Sequence, residues 1–102
     1  MAKILLVDDD TTFGLMLKTW LTKRGFVVED VFSAESALKK LQSEPFDIVL
    51  TDLRLPDKDG IFLLKNIKKH YVGTQVILMT GYADIYTAVE SIKAGAFDYV
   101  SK

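Results

Sequence analysis

The 102-residue chain reads as an α/β protein with a doubly wound, five-stranded parallel sheet in the order 2-1-3-4-5. Three observations predict this. Five short apolar runs alternate with helix-spaced patterns along the whole chain, and the connections between them are short. The runs are apolar throughout rather than at every second residue, as in a sheet covered on both faces. Right-handed crossovers then leave few topologies, of which this order is the common one.

The first strand is the run Ile4 to Val7. After it, Phe13, Met16, Leu17, Trp20 and Leu21 recur at helical spacing, and Gly25 follows the basic Lys23-Arg24 end as a stop signal. Val27 to Val31 is a weaker second strand. Ser33 is a suitable N-cap for a helix with the face Ala34, Ala37, Leu38 and Leu41, closed by Pro45. Ile48 to Thr51 is the third strand. Leu64, Ile67 and Tyr71 mark the third helix, which Gly73 ends. Val76 to Met79 is the fourth strand, and Ile85, Ala88, Val89 and Ile92 mark a fourth helix stopped by Gly95. Asp98 to Val100 begins the fifth strand. Residues 1–102 contain no linker, repeat or low-complexity stretch, so one domain is expected.

Composition narrows the function classes. Apolar residues make up 49% of the chain and the net charge is −1, which suits a globular protein and excludes a basic field for nucleic acid or an anionic membrane. Lys23-Arg24, Lys39-Lys40, Lys65 and Lys68-Lys69 read as solvated helix surfaces. Cysteine is absent, so neither disulfides nor thiolate metal sites are available. Without a signal peptide or long apolar span, a cytoplasmic location is expected.

In this sheet order, strands 1 and 3 are neighbours at the topological switch point, and ligands bind beyond their carboxyl ends. Asp8, Asp9 and Asp10 follow strand 1, Asp52 follows strand 3, Thr80 follows strand 4 and Lys102 follows strand 5. Helix capping explains any one of these but not their convergence on one edge. Two carboxylates about 4 Å apart repel by about 4 kcal/mol at an effective dielectric of 20. A hard divalent cation relieves this, and an all-oxygen set with room for a phosphate oxygen suits Mg²⁺. With the cation in place one carboxylate can attack phosphorus, giving an aspartyl phosphate. Lys102 and Thr80 are candidates to stabilise charge developing on the phosphoryl oxygens.

The stretches "ILLVDDD", "DIVLTDLRLPDKDG", "VILMTGYAD" and "AGAFDYVSK" together resemble the response-regulator receiver domain of bacterial two-component signalling, over essentially the whole chain. The resemblance implies the flavodoxin-like receiver fold and a phosphorylation-dependent switch rather than an enzyme. Asp52 matches the phosphoacceptor, supplied by a histidine kinase or phosphotransfer protein. Asp8, Asp9 and Asp52, with the backbone carbonyl of Arg54, match the Mg²⁺ ligands. Thr80 matches the switch hydroxyl, Lys102 the phosphate-binding lysine, and Tyr99 the aromatic that rearranges with the threonine. Gly81 matches a small residue that leaves the phosphate accessible, and Pro56 and Gly60 match the loop after the phosphoacceptor. Arg54 and Tyr82 are the surroundings expected to set phosphoryl lifetime. The switch is expected to alter the strand 4–helix 4–strand 5 face, between Ala83 and Ala94, as the output surface. "TGYADIYTAVESIKAGAFDYVSK" further resembles the NtrC-like branch, whose members often drive a σ54-dependent ATPase module, and transcription regulation follows from that.

Two other readings use the same residues. Asp8-x-Asp10-x-Thr12 spells the nucleophile motif of haloacid-dehalogenase-type phosphohydrolases, with Asp8 as nucleophile and Asp10 as acid/base. That fold resembles something longer, wants a further acidic pair downstream, and leaves Asp52 unexplained. A flavin module would want hydroxyls and glycines after strand 1, where three carboxylates repel a phosphate. His70 reads as a favourable charge at a helix end rather than a phosphodonor. Asp10 is read as favouring the positive end of the first helix, with Thr11 or Thr12 available to cap it. Receivers usually continue past the lysine into a fifth helix. The end at Lys102 implies a truncated chain with that last helix missing, an uncovered apolar strip, and a homodimer to cover it.

Overall fold

The computed structural model describes residues 2–81 and 85–102, apart from the side chain of residue 85. Tyr82 and Ala83, and with them part of the proposed output face, lie outside the described residues. The elements run β1 (Lys3–Val7), α1 (Thr11–Lys23), β2 (Val27–Val31), α2 (Ala34–Ser43), β3 (Ile48–Asp52), α3 (Gly60–His70), β4 (Gln75–Thr80), α4 (Ile85–Lys93) and β5 (Asp98–Ser101). The sheet is parallel at every pairing and its order is β2-β1-β3-β4-β5, as expected.

Alternation along each strand divides the core between two faces. Leu5 and Val7 of β1, Val49 of β3 and Val76 and Leu78 of β4 pack with Ala37 and Leu41 of α2 and with Leu63, Leu64 and Ile67 of α3. Tyr99 packs against the same cluster. On the other face Ile4 and Leu6 meet Val28, Met79 and Leu21, with Phe13 and Leu17 of α1 beside them.

Helix ends follow local chemistry. Ser33 accepts the Ser36 N–H at 3.1 Å and caps α2. Gly25, at φ 98°, follows the C-cap residue Arg24 and donates to the Thr22 carbonyl, in a left-handed conformation costly for other residues.

Helical periodicity overstated two faces. Met16 and Trp20 of α1 are 60% and 50% exposed, and Val89 and Ile92 of α4 are 50% and 49% exposed. Trp20 stacks on the Arg24 guanidinium instead of entering the core. On the α1 side of the sheet Ile48, Leu50 and Ile77 are only partly buried and Val100 is exposed. These apolar side chains lie on the sheet face between α1 and β5.

Candidate functional site

The strand ends bring the acidic residues together. Asp8 follows β1, Asp52 is the last residue of β3, and the carboxylates of Asp8, Asp9 and Asp52 offer oxygen atoms all within 4.8 Å of one another. Asp8 is buried, and Oδ1 accepts the Asp10 N–H at 2.9 Å. Its Oδ2 is also buried. Lys102 Nζ stands 2.8 Å from that oxygen as an ion pair and donates to Asp52 Oδ2 at 3.1 Å, so one ammonium bridges two carboxylates. The ammonium also lies 4.7 Å from the centre of the Phe13 ring. Asp9 is exposed at the mouth of the cluster.

Other residues take separate places. Asp10 is outside the cluster and is itself the N-cap of α1, accepting the Phe13 N–H at 3.1 Å, while Thr11 is the first helical residue. The cap is thus one residue earlier than Thr11 or Thr12. Thr80 ends β4, is buried, and its carbonyl accepts the Lys102 N–H at 2.8 Å. That bond, continuing the β4–β5 ladder, fixes the backbone of Lys102 beside the site. Tyr99 is half-buried two register steps back from Thr80, opposite Leu78. The Arg54 amide is 3.5 Å from Asp52 Oδ1, and Arg54 pairs with Asp59 in an isolated antiparallel bridge. Pro56 is exposed at the loop apex and Gly81 is exposed just past Thr80. His70, exposed, is the last residue of α3, whose opposite end faces the site.

Burial pushes the Asp52 carboxyl above its ordinary value, against the opposing pull of Lys102, and the Asp8 charge adds to the rise. Burial acts to lower the Lys102 ammonium, but Asp8 and Asp52 overcome it and hold it above its ordinary value. The sign for stability follows. Between the ordinary value of 3.8 and its raised value, folded Asp52 keeps a proton that the unfolded chain has released. Metal-free stability due to this group therefore falls as pH rises through that window and levels off above it. The measurement is the difference in urea midpoint between the chelator-treated parent and Asp52→Asn, followed upward from about pH 4, and this difference should shift against the parent through that window. Parallel profiles in the two proteins would remove Asp52 as a contributor.

Three carboxylates with oxygens within 4.8 Å of one another, two of them buried and served by a single ammonium, form the donor set that a hard divalent cation takes. The residues present fit Mg²⁺.

A parallel sheet of this order with acidic groups gathered beyond β1 and β3 defines a receiver-type signalling domain. The comparisons agree: the family model for the response regulator receiver domain matches residues 4–102, and the chain belongs to that family. It is 43% identical over 98% of its length to regulatory protein AtoC of Escherichia coli, and 40% identical over 97% to the DNA-binding transcriptional regulator NtrC of Proteus hauseri. The chain spans about a fifth of the length of these relatives, 22% and 21%. Among solved structures, a CheY-like receiver domain protein from Methanospirillum hungatei superposes with a TM-score of 0.94 at 38% identity, over all of this chain and 82% of that one. A Burkholderia pseudomallei response regulator with a phosphorylated aspartic acid, a calcium ion and citrate superposes at 0.93 and 31% identity, over all of this chain and 60% of that one. Among the described residues no helix is long and apolar enough to cross a membrane.

Proposed function

We propose that residues 1–102 act as one receiver domain in which Asp52 accepts a phosphoryl group from a histidine kinase or phosphotransfer protein. The observation that carries this is the carboxylate cluster of Asp8, Asp9 and Asp52 closed by the Lys102 ammonium. Asp8, Asp9, Asp52 and the Arg54 backbone carbonyl would hold Mg²⁺, which supplies charge neutralisation between carboxylate and phosphoryl oxygens when bound.

In the transfer, an Asp52 lone pair attacks phosphorus and forms a P–O bond, while the P–N bond breaks and its electron pair stays on the donor imidazole. Lys102 is already at both carboxylates and needs only a short shift to meet the phosphoryl oxygens. The new group adds about −1.5 to −2 of charge. Thr80 then turns its hydroxyl to that charge and Tyr99 follows, altering the β4–α4–β5 face that controls the output. The exposed Val89 and Ile92 on α4 support a docking role for that face. The partner would approach along α1, where Thr11, Thr12, Leu15, Met16 and Thr19 line a shallow depression beside the site. The domain would work as a cytoplasmic switch rather than through a catalytic cycle, with transcription regulation as its output.

The hydrolase alternative gains no support, because the Asp10 carboxylate is committed to capping α1. Asp8→Asn separates the two readings. With the Asp52 acceptor intact it should weaken Mg²⁺ binding by roughly tenfold or more yet still become covalently modified at high Mg²⁺. Complete loss of covalent phosphate at saturating Mg²⁺ would instead point to Asp8 as the nucleophile.

A further inference from the structure

Asp57 stands apart from the acidic cluster, yet its carboxylate is one of the most heavily engaged among the described residues. Oδ1 accepts the Ala34 N–H at 3.0 Å and Oδ2 accepts the Glu35 N–H at 2.9 Å, residues 23 and 22 positions earlier in the chain. These are the first two N–H groups of α2, which have no partner within the helix. The local cap Ser33 takes only the Ser36 N–H, so two side chains from different elements share one helix end. Oδ1 also accepts the Lys58 N–H at 3.0 Å, which tightens the loop apex. At its base the loop is closed by the Gly60 N–H to the Leu53 carbonyl at 2.7 Å and by the Arg54–Asp59 bridge. The loop leaving Asp52 is therefore tied at its base, where Arg54 sits, and again at its apex through Asp57.

We infer that Asp57 is a positioning residue for the acidic centre: by anchoring the loop to α2 it holds the Arg54 backbone in place for the divalent cation. This rests on the receiver reading of the site. A carboxylate suits the task because it offers two oxygens to two N–H groups and a negative charge to the positive end of α2. The backbone N–H of Glu35, then that of Ala34, hold its carboxyl below the ordinary range, so the anchor stays charged at neutral pH.

A simple helix cap would stabilise α2 without reaching the cation site, and the experiment separates the two roles. Mg²⁺ affinity is measured by calorimetry on the whole chain, with amide shifts of Ala34, Glu35 and Arg54 followed by NMR. Asp57→Ala should weaken Mg²⁺ by roughly tenfold, as loss of a group supporting a metal ligand does. Asp57→Asn, which keeps one acceptor oxygen, should recover part of the affinity and stands in if the alanine variant does not fold. Ser33→Ala removes the other cap of the same helix end and should leave Mg²⁺ affinity unchanged. Equal weakening by Ser33→Ala and Asp57→Ala, or no weakening by Asp57→Ala, overturns the inference. Asp8→Asn distinguishes the causes of failure. If it binds Mg²⁺ as tightly as the parent, the assigned site is wrong and the inference falls with it. If it binds weakly while Asp57→Ala matches the parent, only the positioning role fails.

Discussion

Asp52→Asn, incubated with Mg²⁺ and acetyl phosphate, is expected to take up phosphoryl at least about a thousandfold more slowly than the parent, because the attacking oxygen is gone. Position singles out Asp52 among the three carboxylates. Asp8 is buried with Oδ1 already accepting a backbone N–H, and Asp9 is exposed at the mouth of the cluster. Asp52 ends β3 at the switch point, with one oxygen on Lys102 and the other near the Arg54 amide at the long limit of a hydrogen bond. It shares the Lys102 ammonium with Asp8 but is the more accessible of the two, its side chain 12% exposed against 1%, and that cation can meet the developing negative charge. Asparagine has nearly the same size and keeps the fold, so the loss isolates the nucleophile. The measurement is intact mass with time, with beryllofluoride binding followed by amide shifts as a second readout. Modification of the variant at the parent's rate would sink the assignment.

The same substitution has a consequence for stability. Three carboxylates against one ammonium leave residual repulsion in the metal-free protein. Removing one charge at a partly solvated position should raise stability by about 1 kcal/mol after allowance for screening. That corresponds to roughly 4–8 °C in a domain of this size. Added Mg²⁺ should narrow the gap, since it stabilises the parent more than the variant. Loss of function with gain of stability is the signature of a charge cluster held together for chemistry.

How far these features were legible before the structure depends on their range in the chain. The sheet order follows from apolar runs and crossover handedness, and both are local or generic. The convergence of Asp8, Asp52, Thr80 and Lys102 was legible because parallel strands place all their carboxyl ends on one edge. Met16, Trp20, Val89 and Ile92 misled because periodicity identifies a face and says nothing about what lies over it. The Phe13 ring beside Lys102 joins residues at opposite ends of the chain, and no spacing rule connects them. Asp57 carries no sequence signal beyond its place in the loop after Pro56. Its role depends on where the β3–α3 loop passes relative to α2, which no short window contains.

Gly60 belongs to the same class, and Gly60→Ala is expected to be the most damaging small change among the described residues. A Cβ placed there would meet the Asp52 carbonyl oxygen at 2.5 Å, Leu78 Cδ2 at 3.0 Å and Leu53 Cα at 3.1 Å. Two of those three are backbone atoms, which cannot swing aside as a flexible side chain can. The backbone of Gly60 does not sit at positive φ, so the requirement is for close approach rather than for an unusual conformation. The Gly60 N–H donates to the Leu53 carbonyl at 2.7 Å, and α3 begins at this residue, with Asp59 capping it through the Phe62 N–H at 2.8 Å. Relieving the clash means moving α3 outward, which pulls its fully buried Leu63, Leu64 and Ile67 from the core, or moving the backbone that carries Asp52. The cost should be about 3 kcal/mol or more, the upper range for overpacking. Melting should drop by roughly 12 °C or more. Gly73→Ala is the control, because a Cβ there has nothing within 4 Å and the residue is not at positive φ. It should melt at or slightly above the parent temperature. If Gly60→Ala melts alongside Gly73→Ala, the approach of α3 to the Asp52 strand is looser than these distances require. If it melts early and binds Mg²⁺ weakly even well below its transition, the displaced backbone is the one that carries Asp52.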